Sequence, residues 1–119
     1  VYGVPTMFIA MLEEQRRQPR DLSSLRTGIM AGSPCPIEVM RRVTTELGAT
    51  ELTIAYGQTE ASPVVTQTRT DDPLERRVQT VGRPIPGAEV KVVDPATGAE
   101  LPDGQHGELC ARGLGILDG

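Results

Sequence analysis

Five consecutive positions, Tyr56-Gly57-Gln58-Thr59-Glu60, bring together an aromatic ring, a glycine, an amide, a hydroxyl and a carboxylate. Each of these has a use at a nucleotide site. A tyrosine leaving a strand end can lay its ring against a planar base. Glycine lets the backbone turn sharply or approach a ligand closely. The Thr59 hydroxyl can donate to a phosphoryl oxygen or meet a hydrated cation. The Glu60 carboxylate is a hard oxygen ligand of the kind Mg²⁺ takes while it also bridges phosphates. A plainer reading stands beside this one: Gly-Gln-Thr-Glu after a strand can start a helix, with Thr59 as its cap and Glu60 favourable in the first turn. On spacing alone the plainer reading is the stronger, because short motifs recur by chance. The same holds for Gly32-Ser33-Pro34, which also reads as a simple turn before a proline-started helix.

The elements that would position these residues can be read from periodicity. Val4, Met7, Phe8, Met11 and Leu12 recur at helical spacing behind Pro5, and the pattern predicts a helix to about Arg17 that stops before Pro19. Leu25–Ala31 reads as a short buried strand. Ile37, Met40, Val43, Thr44 and Leu47 mark a second amphipathic helix, with Pro36 at its start and Gly48 after its end. Glu51–Tyr56 is another strand. Alternation of this kind predicts parallel strands with crossover helices. Beyond about Pro63 the character changes. A brief strand at Val64–Thr68 and a polar excursion, TDDPLERR, precede AEVKVVD and ELCAR, which are separated by turn-rich stretches. The expected fold is therefore α/β: a partial parallel sheet in residues 1–63, then antiparallel, barrel-like strands in 64–119. Both candidate motifs fall at the carboxyl ends of the parallel strands, where ligands favour the crevice outside such a sheet.

Composition narrows the function classes. The 119 residues carry a net charge of −4, and Lys91 is the one lysine among twelve basic residues. No basic stripe is visible, which argues against nucleic acid. The arginines at 16, 17 and 20 lie beside Glu13 and Glu14, as on a solvated helix face. No apolar run approaches membrane-spanning length. Aromatics make up only 3%, so the core must rely on Val, Ile, Leu and Met. Cys35 and Cys110 have no metal-ligand spacing and read as two buried free thiols. His106 falls in an exposed turn, Lys91 on an exposed strand position, and Glu108 at the start of a strand. The start at Val1 and the close at GLGILDG suggest a segment of a longer protein.

AYGQTEASP resembles the YGxTE core motif of the adenylate-forming superfamily, which holds acyl-CoA synthetases, luciferases and peptide-synthetase adenylation domains. VPTMFIAML, SLRTGIMAGSPCP, VGRPIPGAEVKVVD and GQHGELCARG resemble further segments of that family, in family order, so the likeness runs from Val4 to Gly113. Gln58 resembles the fatty acyl-CoA synthetases more than the peptide-synthetase domains, which usually carry proline there. The VPTMFIAML and GSPCP stretches point the same way, to medium- or long-chain acyl-CoA synthetases.

The resemblance implies an ATP-dependent fatty acid–CoA ligase. A carboxylate attacks the α-phosphate of ATP to give an acyl-adenylate, and the thiol of coenzyme A then displaces AMP. It implies that Gly32, Ser33 and Pro34 line the adenine and that Tyr56 stacks on it. Gly57, Gln58 and Thr59 would border the α-phosphate and the acyl carboxylate, with Thr59 donating a hydrogen bond. Glu60 would hold Mg²⁺, so that Thr59 and Glu60 carry the catalytic roles. Met30, Ala31, Val64 and Val65 are candidates for the acyl tunnel, although core packing is their stronger reading.

The family's Gly- and Ser/Thr-rich phosphate loop, its ribose-binding aspartate and its mobile domain with a catalytic lysine have no match in these residues. The 119 residues alone are therefore expected to be inactive. Lys91 does not match the lysine, and GLGILDG matches only loosely after Gly113. Two alternatives stay open: an adenylation enzyme for aryl or amino acids, and a non-enzymatic domain that self-associates through exposed sheet edges. The expected location is cytoplasmic, or an organelle matrix if the parent carries a transit peptide.

Overall fold

Pro5 opens the first helix, where its missing N–H costs nothing and its fixed φ already suits a helix. In the computed structural model, which describes residues 1–117, strand β1 (Tyr2–Gly3) leads into helix α1 (Pro5–Arg17). The helix ends as expected ahead of Pro19, with Gln18 donating its N–H to the Glu14 carbonyl. Strand β2 (Thr27–Ala31), helix α2 (Ile37–Glu46) and strand β3 (Glu51–Tyr56) follow. β1 pairs with β2, and β2 with β3, all parallel. The βαβ alternation read from the sequence is thus the observed one.

The remaining elements are a single 3₁₀ turn at Thr59–Ala61, strand β4 (Thr66–Gln67), helix α3 (Leu74–Gln79), and strands β5 (Arg83–Pro84), β6 (Ala88–Val93) and β7 (Glu108–Gly113). The first sheet has the order β1-β2-β3-β4-β5 and the second is the β6-β7 pair. By contacts the chain forms two compact units. One comprises Val1–Tyr56 and Gln67–Arg83; the other comprises Gly57–Thr66 and the chain from Pro84.

The first unit is built on burial. Phe8 and Leu12 of α1, Met30 of β2, Met40 and Val43 of α2, and Leu52 of β3 are wholly buried in one cluster. Each such side chain contributes roughly 1.5–3 kcal/mol by leaving water. α1 buries a narrower stripe than its periodicity suggests: Met7 is 52% exposed. α2 behaves as read, with Leu47 buried and Gly48 in the left-handed region (φ 76°) one residue past the cap.

Helix α3 is the element that the polar excursion hid. Pro73 precedes it, and Leu74 and Val78 pack against the core four residues apart. Between them Arg77 is buried, donating to the Thr50 and Leu52 carbonyls at 3.1 and 2.6 Å. A cation at a core position broke the apolar period that would have betrayed the helix. Asp72 is likewise buried and accepts from the Arg69 N–H at 2.8 Å. That bond, and then Arg83 and Arg76 nearby, hold its carboxyl below the usual range.

The second unit relies on backbone pairing instead. β6 and β7 run antiparallel with Val93 opposite Glu108 and Lys91 opposite Cys110, as the hairpin reading expects. Asp94 closes the intervening turn, its carboxylate accepting from the Ala96 N–H at 2.7 Å. Glu108, His106 and Lys91 are all exposed. Among the described residues no helix is long and apolar enough to cross a membrane.

Candidate active site

In the first unit the site begins with register. Because β2 and β3 are parallel and pair Ala31 with Ala55, the next residues, Gly32 and Tyr56, leave the sheet at the same edge. Packing of β1 on β2 requires Gly28: a Cβ there would lie 1.8 Å from the Val1 carbonyl oxygen. After Ala31 the chain turns through Gly32 at φ 86°, a conformation that favours glycine. Ser33 and Pro34 follow, both exposed. Tyr56 ends β3 and is 43% exposed. Gly32, Ser33, Pro34 and Tyr56 therefore share one sheet edge, and all four are exposed. Met30, one residue before Ala31, turns away from this exposed edge into the core. It is fully buried in the core cluster, and the Cys35 thiol donates to its Sδ at 2.9 Å. Ala31 is half-buried.

In the second unit the sequence Gly57–Val65 folds into a tight loop. Gln58 is extended, Thr59–Ala61 form the 3₁₀ turn, and Ser62 caps it in the left-handed region at φ 56°, ψ 52°. The Ala61 and Ser62 N–H groups close the turn on the Gln58 and Thr59 carbonyls at 2.9 and 3.2 Å. The helix start expected as the plainer reading is thus a single 3₁₀ turn, and Thr59 does not cap it with its side chain. Gly57 packs so closely on the return limb that a Cβ would lie 1.9 Å from the Pro63 carbonyl oxygen. Only Ala61 of the turn points inward. Gln58, Thr59 and Glu60 are exposed, and their side chains engage no hydrogen-bond or ion-pair partner among the described residues. Val65 is buried and Val64 half-buried, and the Val65 carbonyl accepts from the Ile85 N–H at 3.0 Å.

Two free thiols complete the chemically notable groups. Cys35 is buried as expected, and desolvation pushes its pKa up to about 11. Cys110, expected to be buried as well, is only half-buried. Among the described residues no three His, Cys, Asp or Glu side chains converge to form a metal cage. Sequence reasoning left the Gly113–Leu117 stretch without a role, yet the Leu117 N–H donates to the Glu60 carbonyl at 2.8 Å. No side-chain type could have signalled a bond made by the backbone alone.

Comparison with known proteins decides what family this geometry serves. The model of the AMP-binding enzyme family matches residues 1–119. The chain belongs to that family. Among curated proteins, YngI of Bacillus subtilis (strain 168), an acyl-CoA synthetase by name, is 57% identical over the whole chain, which corresponds to 22% of that protein. The mitochondrial medium-chain acyl-CoA ligase ACSF2 of Danio rerio is 50% identical over 98% of the chain and 19% of the ligase. Among solved structures, the anthranilate CoA ligase AuaEII in complex with anthranoyl-AMP superposes with a TM-score of 0.82 at 28% identity, over 97% of this chain and 21% of that one. This AMP-binding chain thus spans about a fifth of the length of its curated relatives. The α/β fold is the one seen in that anthranilate CoA ligase structure.

Proposed function

We propose that this AMP-binding chain supplies the adenine edge and the catalytic turn of an ATP-dependent fatty acid–CoA ligase. The observation that carries the reading is the in-register pairing of β2 and β3, which brings Gly32–Pro34 and Tyr56 to one sheet edge in a chain of this family. In the proposed reaction an oxygen of the acyl carboxylate attacks the α-phosphorus of ATP, and the bond to pyrophosphate breaks. The sulfur of coenzyme A then attacks the acyl carbonyl of the mixed anhydride, and AMP leaves with the electron pair of the broken C–O bond. Such chemistry depends mainly on positioning and charge neutralisation.

Each residue has a stated part. Gly32, Ser33 and Pro34 border the adenine, and the ring of Tyr56 stacks on it. Gly57, Gln58 and Thr59 border the α-phosphate, where the unpartnered Thr59 hydroxyl donates to a phosphoryl oxygen. Glu60 fits Mg²⁺ in the way the ion is usually held in nucleotide sites, by one or two carboxylates plus phosphate and water rather than by a protein cage. When bound, the ion supplies neutralisation of phosphate charge. Met30 and Val65, both buried, suit a packing role more than an acyl tunnel, which leaves half-buried Ala31 and Val64 as the better candidates for contact with substrate.

The likeness to the medium-chain ligase ACSF2 of Danio rerio supports an acid of medium length. The anthranilate ligase keeps an aryl acid in view as the second reading. Location in the cytoplasm or an organelle matrix belongs to the same proposal.

An AMP titration followed by amide NMR tests the nucleotide edge. Shifts should centre on Gly32–Pro34 and on Tyr56–Glu60, and Tyr56→Ala should weaken AMP about fivefold or more, in keeping with about 1–3 kcal/mol for stacking on an aromatic ring. The 119 residues alone should show no fatty-acid-dependent exchange of pyrophosphate into ATP. AMP shifts that avoid both segments would remove the basis of the reading.

A further inference from the structure

The Thr59–Ser62 turn carries the two groups assigned to chemistry, and it is strained. Ser62 is the one non-glycine residue with positive φ among the described residues. Such a conformation persists only where surrounding structure fixes it. Within the second unit, the stretch at the end of β7 and beyond lies against this turn. Leu114 N–H approaches the Gly87 carbonyl at 3.4 Å, and the Ile116 N–H closes a turn on the Gly113 carbonyl at 3.2 Å. That folded stretch then delivers the Leu117 N–H to the Glu60 carbonyl at 2.8 Å. Gly115 lies against the next two residues of the turn: a Cβ there would stand 3.0 Å from the Ala61 carbonyl oxygen and 3.7 Å from the Ser62 Cβ.

We propose that Gly113–Leu117 is a backbone latch whose Leu117 N–H and Gly115 contact set the orientation of Thr59 and Glu60, making Gly115 and Leu117 positioning residues. The inference rests on the assignment of Thr59 and Glu60 to phosphate and Mg²⁺. Nothing in the side chains competes with this role, since the Leu117 side chain is 59% exposed and Gly115 has none. The latch acts through atoms that any residue at 117 supplies except proline. It therefore separates backbone from side-chain effects: Leu117→Ala keeps the donor, whereas Leu117→Pro deletes it. Gly115→Val works from the other side by forcing the Ala61 carbonyl away, and Gly115→Ala is a milder form should the valine variant fold poorly.

Two measurements on the 119-residue chain carry the test. Amide NMR reads the conformation of Glu60–Ser62, and paramagnetic broadening by Mn²⁺ with ATP reads metal–nucleotide binding near Glu60. Leu117→Pro and Gly115→Val should move the Glu60, Ala61 and Ser62 amides and weaken Mn²⁺–ATP about tenfold, a displacement of the order that a misplaced group causes. The amides of β2 and β3 and the melting temperature should stay unchanged, and Leu117→Ala should match the parent in every respect. A proline variant no different from the alanine one overturns the latch, as does a loss of Mn²⁺–ATP that only follows a fall in melting temperature. Should the parent fail to bind Mn²⁺–ATP while Leu117→Pro still shifts Glu60–Ser62, the latch stands as a conformational device and the metal–nucleotide assignment falls.

Discussion

The two units hold their shape by different means. The first concentrates all of the buried apolar cluster, from Phe8 through Ile54. In the second, the buried apolar side chains are small and few: Ala61, Val65 and Val93. There the loop, hairpin and latch are fixed by main-chain hydrogen bonds and by close backbone approaches at Gly57, Gly113 and Gly115. The contrast matches the parts proposed for them. A sheet edge that stacks a flat ring needs only a rigid platform, which a packed core gives. A turn that must present a hydroxyl and a carboxylate needs its backbone placed to within fractions of an ångström, and short hydrogen bonds and glycines do that directly.

The largest expected effect breaks the contrast from the side of the core. Phe8 has no solvent exposure and belongs to the central cluster. Phe8→Ala should destabilise the first unit by about 3–5 kcal/mol, the usual range for such a cavity. Urea denaturation followed by amide exchange should show β2 and β3 losing protection before the β6–β7 hairpin does. Simultaneous loss in both would mean that the hairpin depends on the core for its own folding.

A smaller effect sharpens the contrast from the side of the backbone. Gly57→Ala places a methyl group 1.9 Å from the Pro63 carbonyl oxygen, a neighbour that cannot rotate away. Forcing the limbs of the loop apart should cost about 1–3 kcal/mol locally. The amides of Ala61 and Ser62 should exchange faster while those of the first unit hold, and Mn²⁺–ATP should weaken with them. An alanine variant with parental exchange at Ala61 would show that the loop tolerates reshaping, contrary to the role given to tight backbone contact.

The same contrast explains what the residues disclose in advance. α1, α2, β2 and β3 are legible because burial imposes a period, and the period survives in Phe8–Leu12 and in Met40–Val43–Leu47. α3 is hidden because the core position it offers is filled by Arg77, whose stem packs while its guanidinium satisfies the Thr50 and Leu52 carbonyls. At the site, Tyr56, Thr59 and Glu60 are legible as chemical types. Their support is not, since a main-chain bond such as Leu117 to Glu60 leaves no mark on residue identity. Likeness to a known family supplied the roles; physical reading of five adjacent residues supplied only the possibility.

The two cysteines, one in each unit, offer the finest probe of the difference. Cys35 is 9% exposed, and desolvation raises its pKa to about 11 from the ordinary 9.0, so at pH 8 only about one thiol in a thousand is ionised. Cys110 lies half-buried on the β6–β7 hairpin. Iodoacetamide at pH 8 should therefore modify Cys110 first, and Cys35 should react only as the first unit opens, at a rate that rises steeply in urea. The shift also carries a sign for stability. A thiol whose folded pKa is raised binds its proton more tightly in the folded state, so the contribution is fully present below pH 9.0 and is lost as pH climbs toward 11. Cys35→Ala should flatten that alkaline fall of the unfolding midpoint, whereas Cys110→Ala should leave it in place. Equal labelling rates for the two thiols in the native protein would mean that the Met30–Cys35 contact opens as readily as the hairpin surface, and that the packed core is no more rigid than the backbone-held unit.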